Sequence, residues 1–263
     1  MSAAHLNPNT RHDFFYLFSV EDGNPNGDPD AGNAPRIDPA TGQGLVTDVC
    51  VKRKIRDYVS AASDKRVFME RGKVLRTKQK ESYDALEFEE GEADYDDVQK
   101  ARLWMMQNFW DVRMFGAVMS SNKEVKAGKV QGPLQLTFAR SLEPINPIRV
   151  SITRSMPLTE EKQKEKGNST FGAKHIVPNA MYKGRGFYSP SDASQVTSDD
   201  LALFWDALRM SWELDRSASR GMLTCEKIVV FTHDSPLGNA RAKALFESED
   251  YNSLPDGVTV TTL

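Results

Sequence analysis

The side chains with the most chemical potential in this chain gather in one stretch, residues 14–59. Asp22, Asp28 and Asp30 flank or occupy a loop, Asn24-Pro25-Asn26-Gly27-Asp28-Pro29-Asp30. A group of cations, Lys52, Arg53, Lys54 and Arg56, follows it. Positioned cations are what a phosphate backbone requires, because phosphodiesters are held by charge and hydrogen-bond donors whatever the base. The carboxylates resemble half of a calcium loop but lack the regular alternation and the distal Glu of an EF-hand. An acidic dyad for phosphoryl transfer is a second reading, and it would need a metal or a base that the sequence does not identify. Turn chemistry alone is a third, since Asn, Asp, Gly and Pro dominate turns for backbone reasons.

No other set of residues completes a reactive site. Gly128-Lys129-Val130-Gln131-Gly132-Pro133 lacks the spacing and the Lys-Ser/Thr pair of a Walker phosphate loop. His5, His12, His175 and His233 form no close metal pair, and there is no Gly-x-Ser-x-Gly elbow. Cys50 and Cys225 lie far apart, a pattern of reduced, buried thiols in a cytoplasmic protein. The expectation is therefore no catalytic set, no metal and no cofactor. A net charge of −3 argues against nucleic acid only as an average. Residues 48–80 hold eleven Lys or Arg against four acids, residues 81–97 nine acids and no base, and residues 113–154 seven bases against two acids. Those blocks carry the information that the total hides. No apolar run approaches membrane-spanning length and no signal pattern opens the chain, so a cytoplasmic protein with no membrane partner is expected.

The elements that must position these groups follow from periodicity. Residues 14–20 read as a strand and residues 21–44 as a long turn-rich loop. Thr47 or Asp48 caps a helix over 48–59, with Val51, Ile55, Tyr58 and Val59 on its core stripe. Lys52, Arg53 and Arg56 fall off that stripe, toward solvent. Residues 60–110 read as an insertion containing a second helical run. Residues 132–138 and 148–153 are strand candidates, residues 157–173 a polar loop or hairpin tip, and 175–177 and 180–182 resume strand character. A helix capped by Ser198 or Asp199 follows, then strands at 227–232 and 258–262. This order fits an α+β sandwich in which helices cover one face of an antiparallel sheet, with a ferredoxin-like arrangement fitting best.

Five stretches taken together resemble a known family. They are 24–30, the helix start Thr47-Asp48-Val49-Cys50-Val51-Lys52-Arg53-Lys54-Ile55-Arg56, Asp111-Val112-Arg113-Met114-Phe115-Gly116, residues 128–133, and Gly172-Ala173-Lys174-His175-Ile176-Val177-Pro178-Asn179-Ala180-Met181-Tyr182. The chain is similar to the crRNA-binding backbone subunits of type I CRISPR Cascade complexes, subtype I-C, of the RAMP superfamily. The resemblance implies an RRM-like (ferredoxin-like) palm formed by residues 1–59, 116–149 and 181–263. It implies helical fingers at 60–115 and a β-hairpin thumb at 150–180. It implies a non-catalytic subunit that polymerises with further copies along a crRNA, each thumb kinking its neighbour's RNA segment. Complementary target DNA would be recognised through the guide. The other partners implied are the crRNA-processing, large and small Cascade subunits. The RNA contacts carried over are Asn24, Asn26, Arg36, Thr47, Lys52, Arg53, Arg56, Arg113, Gln131, Arg154, Met156, Lys174 and His175. Met156 could be an apolar wedge against a base step or a core residue of the hairpin. The alternative function is a metal-dependent endoribonuclease acting on target RNA through a first-loop Asp, as in related type III subunits.

Overall fold

The computed structural model describes residues 3–122, 124–154, 170–190, 195–251 and 253–263. Strand β1 (His12–Gly23) is the centre of the molecule. Its even positions Phe14, Tyr16, Phe18 and Val20 all point to one face and are fully buried there, the period of two that a pleated strand imposes. After β1 come a two-residue ribbon, β2 (Gly27–Asp28) with β3 (Ala34–Pro35), then β4 (Gln43–Val46) and helix α1 (Asp48–Ala62). The expected 48–59 helix is therefore present, extended by three residues and capped by Thr47, whose hydroxyl accepts from the Cys50 amide.

Helices α2 (Leu75–Leu86), α3 (Tyr95–Asn108) and α4 (Trp110–Phe115) follow, and then a ribbon of β5 (Gly116–Val118) with β6 (Lys129–Gln131). This segment has its own apolar core, which runs from Phe68, Tyr83, Met105 and Phe109 on to Ala117, Met119, Val125 and Val130. The second core thus continues beyond residue 115, because the β5–β6 ribbon folds back against α3 and α4.

The chain returns to the main sheet in β7 (Leu134–Leu136) and β8 (Ala139–Pro144), then forms β9 (Ile148–Arg154) and β10 (Thr170–Tyr188). The strand-like stretches at 175–177 and 180–182 are parts of this one long strand. Pro178 has no amide to donate, and it falls where the pairing passes from Glu21↔Asn179 to Gly23↔Val177, around Asp22 in the left-handed region (φ 47°). Helix α5 (Ser198–Leu214), strand β11 (Met222–His233), the short helix α6 (Ala242–Phe246) and β12 (Val258–Thr262) complete the chain.

The sheet runs β12-β11-β1-β10-β8-β4, with β7 and β9 also paired to β10, and every pairing is antiparallel. Helices α1 and α5 lie on the same face. They bury Val51, Ile55 and Val59, and Leu201, Phe204, Leu208 and Trp212, against the aromatic side of β1. Phe18 stacks on Trp212 at 4.1 Å and on Tyr182 at 5.1 Å between ring centroids. Gly184 and Gly186 in β10 make room for the neighbouring rings on β1. A β-carbon at either would intrude on the Tyr16 or Phe14 ring opposite it. The other face carries a smaller cluster of Phe15, Val229, Phe231, Leu245 and Phe246 under α6. The mixed α/β architecture with a large antiparallel sheet, and helices on its main face, agrees with the sequence expectation. Among the described residues no helix is long and apolar enough to cross a membrane.

Candidate nucleic-acid interface

A groove of about 550 Å³ runs between the first turns of α1 and the β5–β6 ribbon. Asp48, Val49, Lys52 and Arg56 come from the helix, Gly116 to Val118 and Lys129 to Gln131 from the ribbon, and Met69, Phe115 and Gln135 close it. Two glycines shape the ribbon wall. Gly116 follows α4 at φ 80°, and a β-carbon there would press on the Val130 carbonyl and the Gly132 amide. A β-carbon on Gly132 would enter the Phe115–Gly116 backbone. The end of α4 and the end of β6 therefore cross in contact.

The lining is mixed in chemistry. Val49 and Val118 are the exposed aliphatic walls, at 67% and 60%. Lys52 lies 5.6 Å from the centre of the Phe115 ring and pairs with Asp48 at 3.1 Å, keeping 13% of its side chain exposed. Lys129 and Gln131 are exposed on alternate positions of β6 while Val130 between them is buried. Among the described residues Lys129 has no ion-pair partner. Such a surface offers cations, amide donors and apolar walls to a polyanion that carries bases.

Three of the residues expected from sequence thus meet here: Lys52, Gln131 and Arg56. Arg56, however, does not face solvent. It is 6% exposed, its Nε donates to Asp111 Oδ2 at 2.7 Å, and it lies 5.2 Å from the Phe115 ring. Asp111 also accepts from the amides of Phe68 and Met69 at 2.6 and 3.1 Å. The reason is non-local: α4 packs on the flank of α1, giving the helix a second covered side that its own apolar stripe does not announce. Arg113 is enclosed in the same way. It is 8% exposed and makes a two-point fork with Asp200, Nε to Oδ2 at 2.9 Å and Nη2 to Oδ1 at 2.7 Å. Asp200 also closes the capping box of α5 with Thr197. Burial alone would raise its carboxyl, but the Arg113 fork and the Thr197 contacts hold it below the ordinary value.

The first loop is likewise engaged with itself. Asn24 is 3% exposed and donates to the Asn33 carbonyl at 2.7 Å. Asn26 Oδ1 accepts from both the amide and the hydroxyl of Thr47, each at 3.0 Å, so these two residues clamp the loop to the start of α1. Arg36 pairs with Asp28 at 3.5 Å, and Asp28 accepts from the Asp30 amide at 3.2 Å. Arg53 lies on the outer side of α1, holding the Met69 carbonyl at 2.6 Å and Asp57 at 3.6 Å.

Arg154, Lys174 and His175 belong to the β9–β10 hairpin, away from the groove lining. Lys174 donates to the Ala218 carbonyl at 2.7 Å, and His175 lies directly across from Arg149. Arg154 ends β9 opposite Thr170, and Met156 lies outside the described residues. On one side of the hairpin Ile148, Val150 and Ile152 stay 40–44% exposed. Lys129, Val49 and Val118 were not among the sequence candidates. The alternation of exposed Lys129 and Gln131 about a buried Val130 was the signal available for the first. Val49 stands alone beside a cap and carries none.

Over 150 residues the chain is 30% identical to a CRISPR-associated protein Cas7 of Haloferax volcanii, an alignment covering 51% of this chain and 44% of that protein. The match thus spans less than half of that curated relative's length. In fold it is similar to a chain of a CRISPR RNA-guided surveillance complex in its pre-nicking state, at a TM-score of 0.53 and 14% identity, over 84% of this chain and 76% of that one. A chain of another CRISPR RNA-guided surveillance complex aligns at a TM-score of 0.51 and 16% identity, over 92% and 78%. The sequence profile of the family CRISPR-associated protein Cas7 matches residues 10–261, nearly the whole chain, so this protein belongs to the Cas7 family.

Proposed function

We propose that the chain is a non-catalytic backbone subunit of a type I Cascade complex, of subtype I-C, and that it holds guide RNA along the α1/β5–β6 groove. The observation that carries this reading is the groove itself: Lys52, Lys129 and Gln131 aligned beside exposed Val49 and Val118, in a chain of the Cas7 family. Phosphates would meet the lysines, and bases would lie against the aliphatic walls without being read, which suits a guide of arbitrary sequence. The strand order β11-β1-β10-β8, with α1 and α5 on one face, supports an RRM-like palm. The helical segment with its own core would be the fingers, extended by the β5–β6 ribbon, and the β9–β10 hairpin the thumb. Arg36, Arg154, Met156 and His175 are kept as further contacts, from the loop and the hairpin. Copies of the chain would line up along one crRNA, beside the other Cascade subunits, with target DNA paired to the guide.

The test is the purified protein with single-stranded RNA of guide length, titrated across salt and imaged. Length-dependent, sequence-independent binding with curved repeating filaments is expected, and the logarithm of affinity should fall by about 0.7 per phosphate contact per decade of salt. A lone globule that binds no RNA would overturn the proposal. The endoribonuclease alternative rests on Asp22, Asp28 or Asp30; metal-dependent cleavage of complementary RNA that disappears in Asp28→Ala would replace the non-catalytic assignment.

A further inference from the structure

The loop between α5 and β11, residues 215–221, touches three separated parts of the molecule. Arg220 Nη1 donates to the carbonyls of Asn24 and Pro25 at 3.0 and 2.9 Å, while its Nε holds Asp215 at 3.0 Å. Asp215 also receives Lys54 from the middle of α1. The Asn24 amide donates back to the Ser219 carbonyl at 2.8 Å. Gly221, at φ 61°, lets the loop approach so closely that a β-carbon would press on the carbonyls of Glu21 and Asp22. On the other side, Lys174 of β10 reaches the Ala218 carbonyl.

We infer that Arg220 is a positioning residue for RNA binding: it fixes the first loop and, through it, the groove-facing start of α1. The route is continuous. Arg220 holds the carbonyls of residues 24 and 25. The next residue, Asn26, accepts both donors of Thr47, and Thr47 caps the helix turn that presents Asp48, Val49 and Lys52 to the groove. A guanidinium suits this place because its planar fork serves carbonyls in one direction and a carboxylate in another, whereas an ammonium is a single point of charge. The inference rests on the groove being the RNA site.

The experiment uses the full chain with Arg220→Lys, which keeps the charge and loses the fork, and Arg220→Gln, which loses both. Amide hydrogen exchange is followed at residues 24–28 and 47–50, and RNA affinity is measured across salt. Both variants should exchange faster in these two segments while α5 and β1 stay protected. Both should bind RNA about fivefold to tenfold more weakly, the order expected for about one net hydrogen bond, with the salt slope unchanged. Near-normal binding by Arg220→Lys together with a slope reduced by about 0.7 in Arg220→Gln would overturn the inference, because Arg220 would then be a phosphate contact itself. Unchanged exchange at 24–28 would overturn it as well. A wild-type chain that binds no RNA, with exchange still responding, would instead remove the groove assignment and leave Arg220 as a brace without that purpose.

Discussion

The cations around α4 and those along the groove come from the same basic stretches of sequence, yet they are used in opposite ways. Arg56 and Arg113 are buried against Asp111 and Asp200 and tie α1, α4 and α5 together. Lys52 and Lys129 stay at the groove, the first sharing Asp48 and the second free of any ion-pair partner among the described residues. Arg113 meets the Asp200 carboxylate at two points of its planar fork, whereas Arg56 meets Asp111 through its Nε alone. Lys54, from the same stretch, is enclosed as well, against Asp215. A run of basic residues is therefore not one surface. Its members divide according to which side of the helix meets a second layer of protein.

The greatest difference between the two sets should appear in stability. Arg113→Ala leaves the Asp200 carboxylate buried without its partner, and a loss of about 3–5 kcal/mol in unfolding free energy is expected from urea titration. A loss below about 1 kcal/mol would show that water reaches the pair and that the two sets of cations are alike. The paired replacement Arg113→Met with Asp200→Leu removes both charges at once and should cost far less than either single change, because a buried ion pair contributes little over a well-packed apolar one. Acid separates the same proteins. The Asp200 carboxyl titrates lower in the folded chain than in the unfolded one. Its contribution is complete above about pH 4, the unfolded carboxylate range, and is lost as pH falls through the lower folded value. The urea midpoint of the wild type should thus drop more between pH 6 and pH 3 than that of the double variant.

What the sequence made legible, and what it concealed, follows the same division between local and non-local causes. The period-two aromatics of β1, the Thr47 cap and the apolar stripe of α1 are properties of neighbouring residues, and all appear where their spacing placed them. So does the helix after Thr197, whose start lies within a residue of its expected cap. The burial of Arg56 was concealed because Asp111 lies 55 positions away and arrives on α4. Arg220 was concealed more thoroughly, meeting Asn24 from 196 positions further along the chain. The family resemblance named two stretches, 47–56 and 128–133, that the fold brings together at the groove. It could not say which cation in each stretch would be enclosed, since that depends on packing that no single stretch contains.

The glycine crossing lies in the groove wall, where Gly116 and Gly132 let the ribbon strands meet at the end of α4. Gly132→Ala should cost about 1–3 kcal/mol, as overpacking of a close contact does, and should also weaken RNA binding because the groove wall shifts. Destabilisation without any change in affinity would detach the ribbon from the site.

The smallest expected effect on stability is the one that bears most directly on function. Lys129→Ala removes an exposed charge, and Lys52→Ala removes one that is 13% exposed but whose partner Asp48 keeps 25% of its side chain in solvent, so each should change the unfolding free energy by no more than about 0.5 kcal/mol. Each should nevertheless reduce the slope of log affinity against log salt by about 0.7, the value for one phosphate contact on a single strand, and do so equally on RNAs of unrelated sequence. Lys129 should give the fuller effect, because Asp48 already shares the charge of Lys52 at 3.1 Å. Removing Asp48 as Asp48→Ala should then strengthen binding slightly by freeing that lysine. If Lys52→Ala and Lys129→Ala both leave the slope untouched, the groove does not carry the phosphates, and the division between enclosed and available cations would be a matter of folding alone.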